Sequence, residues 1–389
     1  MDTPLTRTLE LYEKGVEERL HIGAQIHVRK AGRVVVDRAL GLARPPVTTE
    51  GEQSPAIAMS TDTLMLWLSA GKPIAAAAIM QLYERALLDL DDAVINYLPE
   101  FDPRPDYVRG GKADVTIRHL LTHTCGFRFV DIGDVPTPWD EIIRRICNAP
   151  LERDWIPGEK AGYHPYTSWY VLGEIIARIT RMPFADYVRN EIFSRCDMPD
   201  CRFGLSPELR TQYGDRIGVL VNTERRGEGT PTLAPHPFST VAGSAVCAPG
   251  GSCHGPMAQL ANFYAMLLAA GEWNGKRVLR HGSVELMTSR VRVGMFDETF
   301  KHTLDWGLGI IPNNRRYGLD TAAYGYGRHA SEPTVGHSGS QSSVGFMDPE
   351  NELVVALVLN GTCGEARHQR RIRPLLEALY EDLGITRAE

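Results

Sequence analysis

Leu66-Trp67-Leu68-Ser69-Ala70-Gly71-Lys72-Pro73-Ile74-Ala75-Ala76-Ala77-Ala78 is the stretch from which the rest of the chain can be read. Proline lacks an N–H and its ring clashes with the carbonyl four residues back, so Pro73 belongs to the first turn of a helix. The spacing predicts that helix over residues 73–88. Its four alanines let neighbouring elements approach closely, which puts it through the middle of the protein. Ser69 then sits at the helix N-terminus, where free N–H groups and the macrodipole favour developing negative charge. Ser69 and Lys72, three apart, share a face. A partly buried lysine beside a hydroxyl loses its proton readily and can act as base or shuttle. A serine N-cap with a surface lysine accounts for the same residues, and two common residues at one spacing are weak alone.

Working outward, apolar Leu9, Leu11, Val16 and Leu20 among charges predict an amphipathic helix over residues 5–20. Residues 24–29 alternate, with Ala24, Ile26 and Val28 on one side and Gln25, His27 and Arg29 on the other. Ala31-Gly32 turns the chain into a partner strand, Arg33 to Leu40. Helical patterns dominate from about Ser60 to residue 205. Residues 206–250, rich in Gly, Pro, Thr and Arg, read as a long loop, a kind of segment that is often functional. A helix follows over 256–271. Strands 343–348 and 352–359 flank the turn Pro349-Glu350-Asn351, and a last helix covers 366–383 with Ile372, Leu375, Leu376 and Leu379 in one stripe. The expected fold is α+β: one antiparallel sheet built from both termini, with flanking helices and an inserted, mostly helical region. Residues 1–389 form a single unit, with 1–60 and 285–389 as the sheet part. Residues 61–284 are the helical part, including the loop 206–250.

Composition narrows the function classes. The 389 residues are 43% hydrophobic and 23% charged, with a net charge of −6. Basic residues occur only as short pairs such as Arg225–Arg226 and Arg370–Arg371, so neither a nucleic acid nor an anionic membrane is an expected partner. Seven cysteines, an odd number without a C-x-x-C, do not make a disulfide framework. There is no basic n-region followed by an apolar one, and no run of 18 apolar residues, so a cytoplasmic location is expected. No cofactor or metal is expected either. His119 and His123 are four apart but lack the glutamate that follows the first histidine in zinc helices, and Cys253-His254 is no better. No G-x-S-x-G elbow occurs.

Further segments fall in order along the chain: Leu87-Leu-Asp-Leu-Asp-Asp-Ala-Val94, Thr116-Ile-Arg-His-Leu-Leu-Thr-His-Thr-Cys-Gly126, Pro157-Gly158-Glu-Lys-Ala-Gly-Tyr163 with Leu172-Gly173 nine residues on, and Gly336-His337-Ser338-Gly339-Ser340 before a strand. Together with Ser69-x-x-Lys72 they resemble class C β-lactamases, family VIII esterases and related transacylases, a group similar to penicillin-binding proteins. The resemblance spans roughly residues 20–380.

The resemblance implies a serine hydrolase or acyltransferase with a β-lactamase-like fold and a small-molecule ester or amide substrate. Ser69 would be the nucleophile. Lys72 and Tyr163 would share its proton, with Tyr163 a phenolate-like base held by the cation. His337 would relay protons or contact substrate. The backbone N–H groups of Ser69 and Ser340 would form the oxyanion hole. His164, Gly339 and Trp169 would contact substrate. Two departures bear on substrate choice. Where the group has Y-x-N, this chain has Tyr163-His164-Pro165, and His337 replaces the lysine of K-T-G with a residue mostly neutral near its ordinary pKa of about 6.5. Both point away from β-lactams and toward simple esters, with transfer to an amine or alcohol as the alternative and a non-catalytic acyl-ligand binder as the remaining one. Tyr166 is a rival tyrosine; the Pro-Gly spacing selects Tyr163. Cys125 stands where the group has serine and reads as a small buried residue.

Overall fold

Ala31 and Gly32 both adopt positive φ, 47° and 74°, the conformation that fits a two-residue turn to the right-handed twist of its strands. The computed structural model describes residues 5–49, 52–102, 110–225, 231–319 and 325–387. Helix α1 (Thr6–Glu17) leads into this hairpin, β1 (Gly23–Lys30) and β2 (Arg33–Arg44), and β3 (Ile57–Ala58) pairs with β2. The other strands come from the far end of the chain. β4 (Arg292–Asp297) and β5 (His302–Trp306) form a separate hairpin. β6 (Ile311–Pro312), β7 (Val335–Ser338), β8 (Ser343–Asp348) and β9 (Leu353–Leu359) join the main sheet in the order β6-β7-β8-β9-β1-β2-β3, every pair antiparallel. The two ends of the chain thus meet at β9 and β1, as the α+β reading expects.

The central strand shows why the sheet lies inside the molecule. All seven residues of β9, Leu-Val-Val-Ala-Leu-Val-Leu, are buried. Leu353, Val355, Leu357 and Leu359 face α1 and the C-terminal helix α6 (Glu365–Asp382), where Ile372, Leu375, Leu376 and Leu379 form the expected stripe. Val354, Ala356 and Val358 face the larger core of the helical region. Each of these buried leucines and valines contributes about 1.5–3 kcal/mol relative to exposure. The polar side of β1 is not solvated, as alternation alone implies, because helix α5 (Met257–Leu268) covers it. Gln25 is buried there and fully used: its amide donates to the carbonyls of Ser60 and Thr63, and its oxygen accepts from the Met257 N–H.

The alanine-rich helix α2 (Lys72–Glu84) runs through the larger core with Ala75 to Ala78 inaccessible. It stops four residues before the expected end. Ala86 takes a left-handed conformation, φ 55°, and the Leu87 N–H returns to the Leu82 carbonyl, which closes the helix. The other site-bearing helices are α3 (Ile117–Thr122) and α4 (Thr167–Thr180). Of residues 206–250, 226–230 lie outside the described residues. The remainder is mostly irregular but holds a helix at Pro207–Tyr213, capped by the Ser206 hydroxyl, and a turn at Val241–Ser244. Its last residue reaches the site described below.

Among the buried histidines, six (His21, His123, His164, His254, His337 and His368) are pushed well below the ordinary range by burial, His21, His164 and His337 to about 3 and His254 to about 4. Between pH 6.5 and 3 the unfolded chain therefore binds protons that the folded chain does not. Their contribution to stability is complete above about pH 6.5 and is lost as pH falls. Unfolding near pH 5 should take up several protons. Melting curves between pH 7 and 5 should show a steep fall in Tm; a flat profile would contradict this electrostatic assignment.

Candidate active site

The segment before α2 is a single tight turn, Leu68–Gly71, that runs directly into the helix, with Pro73 in the first turn. Leu68 has φ 50°, an uncommon conformation for a bulky residue, and it survives because its surroundings fix it. The Trp67 N–H donates to the Cys253 carbonyl, its indole N–H to the Gly255 carbonyl, and its own carbonyl accepts from the Ser343 hydroxyl. This turn presents Ser69.

Lys72 Nζ lies 2.9 Å from Ser69 Oγ, 2.8 Å from the Pro165 carbonyl and 2.5 Å from the Gly250 carbonyl. The two carbonyls can only accept, so they take two N–H groups. The third tetrahedral position of Nζ faces Ser69, where it can donate as an ammonium or accept as a neutral amine. Lys72 is completely buried, and desolvation holds it well below the ordinary lysine range. The rings of Tyr163 and Trp169 surround it, at 5.1 and 5.4 Å. On the other side of Ser69, Tyr163 Oη donates to Oγ at 2.7 Å. Tyr–OH to Ser–OH to Lys–NH₂ is therefore a chain in which each donor has an acceptor.

Tyr163 is held by its backbone. Asp297, inaccessible at the end of β4, accepts from the N–H groups of Tyr163 (3.1 Å), Thr299 and Phe300, and its other oxygen pairs with buried Arg292 at 3.0 Å. Arg292 in turn donates to the Thr122 carbonyl at the end of α3. The Thr299 hydroxyl donates to the Tyr163 carbonyl. Against the phenol ring lie His123 at 4.7 Å and Phe300 at 4.9 Å between centroids. His123 caps α3 in a left-handed conformation, and its Nδ1 accepts from the His164 N–H. His119 closes the other end of the same helix, its Nδ1 accepting from the Thr116 N–H. The two histidines spaced four apart are thus structural acceptors.

The third wall is the end of β7. A Cβ on Gly339 would lie 2.3 Å from the Trp67 carbonyl, so glycine permits the close approach of this strand end to the Leu68–Gly71 turn. Neither the Ser69 nor the Ser340 N–H donates to another group among the described residues. His337 is buried, its ring 6.2 Å from Tyr163. Its Nδ1 is engaged by the Ser338 carbonyl, which leaves the Nε2 lone pair without a partner among the described residues. Burial lowers it to about 3, so it is neutral at ordinary pH.

Two expected substrate contacts are corrected. His164 is inaccessible; its Nε2 accepts from the Phe127 N–H and meets Cys125 Sγ at 3.2 Å, so it fastens the 125–127 loop and does not face the cleft. Trp169 is also inaccessible and lies under Lys72, with Gly250 packed on its ring. The Cys125 thiol beside His164 is not a second nucleophile. Burial raises the thiol and lowers the histidine, and neither meets solvent. The Tyr166 ring packs on Phe238 and stands 5.9 Å from Lys72 Nζ, while the hydroxyl that bonds Ser69 is that of Tyr163. Asp297, Arg292, the left-handed Leu68 and the Pro165 and Gly250 carbonyls were not legible from sequence. Of these, only the Arg292-x₄-Asp297 spacing on one strand carries any signal, and it is a weak one.

Comparison with known proteins bears on the family and the fold. A family model described as "Beta-lactamase" matches residues 10–380. The curated esterase EstB of Burkholderia gladioli is 32% identical over 211 residues, half of each chain, so the alignment spans about half the length of that relative. A penicillin-binding protein homologue from Caulobacter crescentus superposes with a TM-score of 0.74 at 26% identity over 97% of both chains. A family VIII carboxylesterase superposes with a TM-score of 0.74 at 23% identity, over 97% of this chain and 98% of that one. With the match covering nearly its whole length, the chain belongs to the beta-lactamase family.

Proposed function

We propose that the enzyme hydrolyses small, uncharged carboxylic esters through an acyl-enzyme on Ser69. The observation that carries this reading is the position of Ser69 Oγ, within hydrogen-bond reach of both Lys72 Nζ and Tyr163 Oη. In acylation Ser69 Oγ bonds to the ester carbonyl carbon while its proton passes to neutral Lys72. The carbonyl oxygen becomes an oxyanion, received by the N–H groups of Ser69 and Ser340. Collapse breaks the bond to the alkoxide, which takes the Tyr163 proton, and the phenolate regains one from the Lys72 ammonium. Water then attacks, its proton follows the same path, and Ser69 is released. This assignment revises the expectation of a resting phenolate, because a depressed Lys72 is no cation to hold one. His337 offers its free Nε2 to a substrate donor or to a proton in transit.

An uncharged substrate follows from the walls. His337 is neutral where the group has lysine, and Arg128 is committed to Glu152 through several contacts. No permanent cation among these residues is left for a substrate carboxylate. Short p-nitrophenyl esters should turn over in water alone, with cephalosporins far slower. Turnover that requires an added amine or alcohol, with the transfer product accumulating, would replace hydrolysis by transacylation. Cephalosporin turnover equal to that of the best ester would overturn the substrate class.

A further inference from the structure

Arg371, buried on α6, uses all five of its N–H groups on neutral acceptors. Nε donates to His368 Nδ1 at 3.2 Å. Nη1 donates to the Leu20 carbonyl and faces His21 Nδ1 at 3.3 Å. Nη2 donates to the carbonyls of Gln341 at 2.8 Å and Gly361 at 2.6 Å. Because a guanidinium only donates, both histidines present a lone pair at Nδ1, in keeping with their lowered proton affinity. The arrangement ties α6 to the start of β1, to the end of β9 and to the turn between β7 and β8.

The contact with Gln341 reaches the site. Gly339 to Ser342 form a tight turn, closed by the Ser342 N–H on the Gly339 carbonyl, with Ser340 and Gln341 at its centre. Gln341 has φ 49°, a left-handed position that usually takes glycine or asparagine. A glutamine stays there because it is held at two points. Its carbonyl accepts from Arg371, and its side-chain oxygen accepts from the Gly364 N–H at 2.7 Å. The residue before it is Ser340, whose N–H is the second proposed oxyanion donor.

We propose that Arg371 is a positioning residue for the oxyanion hole, acting through the left-handed Gln341 to aim the Ser340 N–H. The inference rests on the ester-hydrolysis reading above. Small misplacement of a catalytic group costs up to about 100-fold. Arg371→Lys keeps the charge and loses the five-donor fork, so acylation per titrated active site should fall about 10- to 100-fold with KM little changed. Gln341→Ala, at a half-buried position, removes only the side-chain tether and should lose several-fold.

A general loss of structure would lower the number of active sites without changing the chemistry of those left. The discriminating readout is therefore the rate ratio of an oxoester to its thionoester, because sulfur accepts poorly in an oxyanion hole. Both variants should narrow that ratio. If Arg371→Lys does not fold, Gln341→Ala carries the test. An unchanged ratio in every folded variant, beside a wild type that is acylated normally, would overturn the role of Arg371 alone. A wild type that is never acylated on Ser69 would instead overturn the ester-hydrolysis reading on which it rests.

Discussion

Tyr163→Phe should lower kcat/KM for a simple ester about 10²–10⁴-fold, the usual consequence of removing a positioned acid–base group, while Tyr166→Phe should cost less than about tenfold. The substitution keeps the ring that packs on His123 and Phe300 and removes the hydroxyl that donates to Ser69. The backbone that Asp297 and Thr299 hold is untouched, so Tm should shift little. The two tyrosines differ in what they face. The Tyr163 hydroxyl bonds Ser69 Oγ, whereas the Tyr166 ring packs on Phe238 and beside Lys72, and its carbonyl caps α4. Steady-state kinetics on the two variants, normalised to active-site titre, decide the matter. A larger loss for Tyr166→Phe would mean that the motif is displaced by three residues.

Lys72→Met should be at least as damaging to acylation, about 10³-fold or more, because it removes the proposed acceptor of the Ser69 proton. Methionine fills nearly the same volume, so packing within α2 survives. The carbonyls of Pro165 and Gly250 lose a donor, at about 1–3 kcal/mol for each buried unsatisfied group. Against this stands relief from burying an ionisable amine, so the net change in stability should be modest. The pH profile tests the protonation state. With Lys72 depressed by burial, the neutral amine forms at lower pH than in an exposed lysine. Wild-type kcat/KM should rise with pH and reach its plateau well below the ordinary lysine value of about 10.4. A plateau reached only near that value would mean that the resting enzyme holds an ammonium and that Tyr163 is the base.

Much of the fold was legible because two kinds of signal agreed. Strict alternation in residues 24–29 and an unbroken apolar run in 353–359 named two adjacent strands of the sheet's interior, and Pro73 fixed where α2 begins. The end of α2 was not legible. Ala86 turns left-handed with nothing in its side chain to announce it, and Arg85 to Leu88 continue the helical pattern. In the site, Ser69, Lys72 and Tyr163 were marked by side-chain type at fixed spacing, and they come together as that spacing implies.

What was missed acts through the main chain or through distant partners. Pro165 stands where the group has an asparagine amide, and it supplies Lys72 with its carbonyl. Every residue has such a group, so composition cannot flag it. Asp297 stabilises Tyr163 from 134 positions away. His164 and Trp169 were misassigned because adjacency to Tyr163 or to α4 says nothing about which way a side chain points.

The central claim is that Ser69 is the nucleophile and carries the acyl group. Intact-protein mass after brief exposure to a fluorophosphonate, compared between wild type and Ser69→Ala, addresses it directly. Wild type should gain the mass of one phosphonyl group, located by peptide mapping on the peptide containing Ser69, and the variant should gain none. Equal labelling of the variant, or a label mapped to another residue, would contradict the account.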